Sequence, residues 1–258
     1  MADLYALVSA GGAPGVTTAA LALALTWPAD AILAECDPGG GDILAGLLVG
    51  HVPARQGLME YAIEAGRDEA TATIGLRAHL VPLDAGTTTS LLPGLSDPRQ
   101  AAGLASAWPA VAAALTAQQA DVIADCGRLD AGEGQPVAVL SAARTVGLVV
   151  RPTLRQVWLA RPRVEMLSQL LGDSARIALL VTGPGTQSAR DVARALRVPV
   201  AAVLPNDPRT AALLSDGTGG RKSVRSAPLM RAARTAGSAL RGHAEAMTLR
   251  RAQAGVAR

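Results

Sequence analysis

Residues 9–18 read Ser-Ala-Gly-Gly-Ala-Pro-Gly-Val-Thr-Thr, between an apolar run from Leu4 to Val8 and an Ala/Leu run from Ala19 to Leu25. A strand that turns through glycines into a helix start makes an anion cradle. Residues without bulk let backbone N–H groups approach a phosphate at the positive end of the helix. The phosphate-loop template Gly-x-x-x-x-Gly-Lys-Ser/Thr sets a lysine between the last glycine and the hydroxyl, where it reaches the β- and γ-phosphates. Here Gly15 fits the last glycine, Thr17 the hydroxyl on the Mg²⁺ side and Thr18 the second helix hydroxyl, but Val16 holds the lysine's place and Ala10 that of the first glycine. The loop has the shape without the charge.

A second template fits the same residues. Ala10-x-Gly12-x-x-Gly15 is one substitution from the dinucleotide fingerprint, and Glu35 lies at about the 20-residue spacing where that template sets a ribose-binding acid. A tight strand-to-helix turn with no ligand would use the same residue types. Two further acids stand where strands are expected to end: Asp37, in Glu35-Cys36-Asp37-Pro38-Gly39-Gly40-Gly41-Asp42, and Asp125, closing the run from Asp121. Ligands of open α/β sheets collect at the carboxyl ends of strands. Acids that merely cap adjacent turns would sit there too.

The elements that must position these residues follow from alternation. Short runs rich in Val, Ile, Leu and Ala alternate with helical patterns, which predicts an α/β fold with a mostly parallel, doubly wound sheet and helices on both faces. Strands are expected over Ala31–Glu35, Leu80–Leu83, Asp121–Gly127, Val146–Val150, Ile177–Val181 and Pro199–Leu204. Residues 43–66 read as helices with a break from Gly50 to Pro53, and residues 87–94 as a surface connection. Asp97-Pro98 resembles a helix start for a helix reaching about Thr116, in which Trp108 packs. A helix follows Arg151-Pro152-Thr153 to about Leu171, residues 217–220 read as mobile, and a last helix spans about Pro228 to Leu240.

At 258 residues, half of them hydrophobic, the chain can bury a core of one α/β domain. The expected organisation is a single domain over residues 1–242 and a basic tail over 243–258. No apolar run approaches the roughly 20 residues that span a bilayer, and the start lacks a basic n-region, so the expected compartment is the cytoplasm. Cys36 and Cys126 have no metal-ligand spacing and read as reduced thiols near strand ends. The formal charge of +3 hides an asymmetry: residues 221–258 hold nine Arg or Lys and one acid, Glu245, so the body is about −5 and the tail about +8. Such a tail suits nucleic acid, an anionic lipid surface or an acidic partner, and equally a solvated end.

Taken together, these pieces resemble the MinD/ParA family of dimeric P-loop ATPases over about residues 3–242. The resemblance rests on the loop from Gly11 to Thr18, the strand into Glu35-Cys36-Asp37-Pro38, the Asp121–Asp125 strand, the strand into Arg151-Pro152-Thr153, and Leu204-Pro205-Asn206-Asp207 before a helix. It implies ATP and Mg²⁺ as cofactors. Gly11, Gly12, Ala13, Pro14, Gly15, Val16, Thr17 and Thr18 would bind the phosphates, and Pro205, Asn206 and Asp207 would lie near the adenine. Thr17 would coordinate Mg²⁺, Asp125 would hold it through water, and Asp37 would act on the attacking water. Mg²⁺ prefers hard oxygens and keeps several waters, which agrees with those roles. The family's signature lysine, which crosses to the dimer partner's phosphates, is replaced by Gly11, a loop glycine by Ala13, and the proline that follows the Asp125 motif by Gly127.

One charge pair at about 4 Å is worth on the order of 4 kcal/mol at an effective dielectric near 20. Losing two cations is therefore expected to cripple transition-state stabilisation while backbone amides and Mg²⁺ still favour binding. The expectation is a nucleotide-binding switch with weak or absent hydrolysis, acting in positioning, partitioning or assembly of a cellular machine. The alternatives are a nucleotide-free scaffold, an active ATPase using another cation such as Arg128, Arg151 or Arg155, and an NAD(P)-binding Rossmann protein. Expected partners are a second copy, an unidentified protein, and DNA or a membrane surface at the basic tail, where Arg231, Arg234, Arg241, Arg250 and Arg251 suit DNA better. Degenerate loops also resemble the TadZ/CpaE branch, which positions pilus machinery. That branch usually carries a receiver-like domain ahead of the first strand, which here begins near residue 4.

Overall fold

Short runs of Val, Ile, Leu and Ala become strands, and those over residues 4–9, 31–35, 145–150 and 177–182 are buried throughout, as strands between two helical layers must be. The computed structural model describes residues 2–48, 56–66, 75–83, 88–130, 132, 134–217 and 224–256. The expected break at Gly50–Pro53, together with Thr87 and residues 218–220, lies outside them. The strands are β1 (Leu4–Ser9), β2 (Ala31–Glu35), β3 (Val81–Pro82), β4 (Ser90–Leu92), β5 (Asp121–Arg128), β6 (Thr145–Val150), β7 (Ile177–Thr182) and β8 (Val200–Leu204). They form one sheet in the order β3-β4-β2-β5-β1-β6-β7-β8, parallel throughout except for the antiparallel edge pair β3–β4.

From β1 the chain crosses over β5 to reach β2 on one side, and it later returns to place β6 directly on the other side. An open sheet has its crevice where the strand order changes direction. The loop leaving β1 is at that point.

Alternate residues of β1 feed two cores. Leu4, Ala6 and Val8 face α2 (Leu58–Ala65), α4 (Trp108–Thr116), α5 (Val137–Ala142), α6 (Leu154–Leu171) and α7 (Ala189–Leu196), with the single-turn α3 (Ala101–Leu104) beside them. Tyr5 and Leu7 face α1 (Val16–Thr26), α8 (Pro208–Asp216) and α9 (Pro228–Val256). Helix α1 has no polar face: Ala19 through Ala24 are all buried, because the sheet lies under it and α9 over it. An all-round apolar helix is stable only when enclosed in this way.

Three expectations are corrected. Residues 90–92, read as part of a surface connection, form β4, in register with β2, and Leu91 and Leu92 are fully buried. The helix expected from Pro98 to Thr116 is broken, because Pro109 opens a new helix at Trp108 and cannot continue the preceding one. Trp108 does pack, at 2% exposure, and its indole N–H donates to the Gly134 carbonyl. The last helix runs beyond Leu240 to Val256. Cys36, just beyond β2, and Cys126, in β5, are free and buried.

Gly237 marks where α9 crosses α1: a Cβ there would stand 3.1 Å from the Trp27 ring, which is itself fixed by its N–H donating to Asp121 and by the Tyr5 ring at 5.0 Å. Gly237→Val is expected to lower stability by about 1–3 kcal/mol in urea unfolding through overpacking, although valine is the better helix former.

Candidate functional site

The loop after β1 has a backbone that side chains would obstruct. Gly12 has φ 68°, and a Cβ there would come 2.6 Å from the Gln156 Nε2; Gly15, with φ 93°, is the N-cap of α1. Both angles lie in the left-handed region that favours glycine. Gly15 has no side chain to cap the helix, and the Gly15 carbonyl takes its first helical bond from the Ala19 N–H at 2.9 Å. The N–H groups of Val16, Thr17 and Thr18 are thus left to an external acceptor at the positive end of an eleven-residue helix.

Beside this helix start lies a cavity of about 360 Å³ whose wall contains Ala13, Pro14, Gly15 and Thr18 from the loop and α1, and Pro205, Asn206 and Asp207 from the segment after β8. Residues from opposite ends of the chain are joined as the two ends of one site. Gly11, Gly12, Val16 and Thr17 are not in that wall. Gly11 lies against Leu159, Gly12 lies under Gln156, and Val16, the first residue of α1, is 7% exposed and belongs to the core on that face of the sheet. At position 16, therefore, only the backbone can serve an anion. Asp207 lines the cavity, but its carboxylate caps α8, accepting from the Thr210 N–H at 3.1 Å and the Thr210 hydroxyl at 2.7 Å. Asn206 is exposed at the rim.

Two further residues of the wall bond to the loop itself, and the sequence did not place them there. Arg151, one position beyond β6, donates from Nη2 to the Ala13 carbonyl at 3.1 Å, and Thr182, the last residue of β7, donates its hydroxyl to the Pro14 carbonyl at 2.8 Å. Both sit at carboxyl ends of strands on the β6 side of β1, which is the signal that could have found them. Arg128, by contrast, is paired with Asp130.

Behind α1 the acids converge. The Thr17 hydroxyl donates to Asp125, whose carboxylate also accepts from the Gly127 N–H at 3.0 Å. Burial pushes the Asp125 carboxyl up to about 7 against those two hydrogen bonds, and the charges of Asp37 and Glu35 push it the same way. Burial also raises Asp37, whose Oδ1 accepts from the Gly39 N–H at 2.7 Å. A Cβ at Gly127 would collide with the Asp37 carboxylate, so the glycine is what admits Asp37 to this spot. The donors fit Mg²⁺: a hydroxyl and crowded carboxylates are hard ligands whose mutual repulsion a dication relieves. Among the described residues, no group of three or more His, Cys, Asp or Glu could hold a metal alone.

Glu35 is removed from the ribose-binding role. It is 2% exposed, its Oε1 accepts from the N–H groups of Asp42 and Ile43, and its Oε2 accepts from that of Gly94. It fastens the loop after β2 to the loop after β4. Glu35→Ala would strand three amides and is expected to cost about 1–3 kcal/mol in chemical denaturation, with Glu35→Gln losing less because one acceptor remains.

The fold is that of the MinD/ParA ATPases. A ParA family ATPase from Chlorobium tepidum is similar at TM-score 0.70 and 16% identity, covering 92% of this chain and 99% of that one. The septum site-determining protein MinD of Pyrococcus horikoshii, solved with Mg-ADP, is similar at 0.68 and 18%, covering 92% and 95%. An aspartate-to-alanine variant of McdA from Cyanothece, solved as its ATP complex, is similar at 0.67 and 17%, covering 93% and 96%. No protein-family model and no curated protein sequence matches the chain.

Proposed function

We propose that the cavity binds an adenine nucleotide with Mg²⁺, and that the protein is a dimerising switch of the MinD/ParA kind that hydrolyses ATP slowly or not at all. The observation that carries this reading is the junction, in one cavity, of the uncapped α1 terminus with Pro205 and Asn206. The phosphates would take the amides of residues 15–18, and the base would lie against Pro205 and Asn206. Thr17 and Asp125 would hold Mg²⁺, which supplies charge neutralisation on the phosphates. Asp37, on Gly127 beside that pair, is the group placed to orient water. The fold neighbours solved with Mg-ADP and with ATP support the same ligand class.

The slow chemistry follows from the electrostatics. The two lysine places hold Gly11 and the buried Val16, so the terminal phosphate meets no cation of the loop. Amides at a helix end bind the ground state, whereas charge moving toward the leaving oxygen needs a cation held at that point. The septum site-determining MinD among the fold neighbours favours work in positioning or partitioning a cellular machine, through a second copy and a protein partner. No helix among the described residues is long and apolar enough to cross a membrane. The proposed location is the cytoplasm, with peripheral contact to DNA or a membrane surface through the arginines of α9. In this reading the domain extends to residue 242 and the last turns of α9 form the basic extension.

A nucleotide-free scaffold is the second reading, favoured by the Gln156 amide packed over Gly12 and by Val16 in the core. Calorimetric titration separates the two: the proposal expects Mg-ATP to bind with little phosphate release and NADH to give no heat, whereas the scaffold gives no heat with either. Val16→Lys is expected to tighten Mg-ATP at least about tenfold, the effect of roughly 1.4 kcal/mol, if its ammonium emerges at the loop.

A further inference from the structure

Among the described residues, Arg151 is the cationic one in the cavity wall. Its chain leaves the end of β6, lies along Gly183 and reaches back to the loop, where Nη2 bonds the Ala13 carbonyl. A guanidinium has five N–H donors in a planar fork and matches phosphate oxygens well. The Ala13 bond uses one donor and fixes the fork's position. This wall also holds Thr18 on the loop side, and Pro205–Pro208 at the end assigned to the base. Thr17, Asp37 and Asp125, which mark the metal and terminal-phosphate end, are not part of it.

Resting on the reading of the cavity as a nucleotide site, we infer that Arg151 is its phosphate cation and serves the proximal phosphates, so that one subunit binds nucleoside diphosphate and triphosphate almost equally. The loop's own cations, which would have recognised the γ-phosphate, are absent at positions 11 and 16. The charge that remains approaches from β6, behind Ala13, on the side away from Asp37.

The test is calorimetric titration with Mg-ATP, Mg-ADP, AMP and adenosine at a protein concentration where sedimentation shows monomer. ATP and ADP are expected to bind within about threefold of each other, and AMP more weakly. Arg151→Ala should weaken ATP and ADP by the same factor, about tenfold or more, with adenosine affinity and thermal midpoint unmoved and with a shallower salt dependence; Arg151→Lys should recover part of the loss. A wild-type preference for ATP above about tenfold, or unchanged affinities in Arg151→Ala, overturns the inference while leaving the nucleotide site standing. Absence of binding by every nucleotide overturns the site and the inference together.

Discussion

The arrangement depends on a backbone constraint at one turn: the chain leaving the central strand has to enter α1 through left-handed conformations with no Cβ in the way. Gly12 leaves room for Gln156, and Gly15 turns the chain into the helix without capping it. Everything on that side of the sheet follows. Helix α1 starts at the switch point of the strand order, its open amides face the crevice, and its apolar surface is enclosed by β1 below and α9 above. A side chain at either glycine would strain the turn and close the cradle.

A second constraint is charge. Three acids, Glu35, Asp37 and Asp125, lie at neighbouring strand ends, and they do different work. Glu35 is spent on three amides and fixes where the loop after β2 runs. That loop carries Asp37 onto Gly127, beside the buried Asp125 and its bond from Thr17. The cluster is costly in a low dielectric without a cation, as the upward shifts of all three carboxyls show. On the other side of α1 the reverse holds: the loop positions that could have carried positive charge hold Gly11 and Val16, and the guanidinium in the wall comes from β6. On the proposed reading the site would bind phosphate through amides and a remote cation, a set suited to holding an anion and poorly suited to stabilising charge on a departing phosphate.

Much of this was legible in the sequence. The buried strands are continuous apolar runs bounded by Gly, Pro or Asp, and β1, β2, β5, β6, β7 and β8 are found where those runs lie. The loop was readable because glycine positions carry the backbone requirement themselves. The rest depended on contacts between distant residues. Ser90–Leu92 is too short to declare itself, and it is a strand only because β2 pairs with it. Glu35 has the spacing of a ribose ligand, and only the fold of residues 41–43 and 94 around it shows that its oxygens are taken. Arg151 was visible as a cation without a direction, and its bond to Ala13 supplies one across 138 residues of sequence.

In the proposed function, backbone amides at the start of α1 bind phosphate although neither lysine position holds a cation. Amide ¹H–¹⁵N spectra of the isotope-labelled protein, recorded while Mg-ADP is added, test it most directly. The account predicts that Gly15, Val16, Thr17 and Thr18 show the largest shifts, moving downfield as their N–H groups acquire an anionic acceptor, with smaller shifts at Asn206. Saturating Mg-ADP that leaves those four amides in place, or that moves only residues remote from the loop, would contradict it.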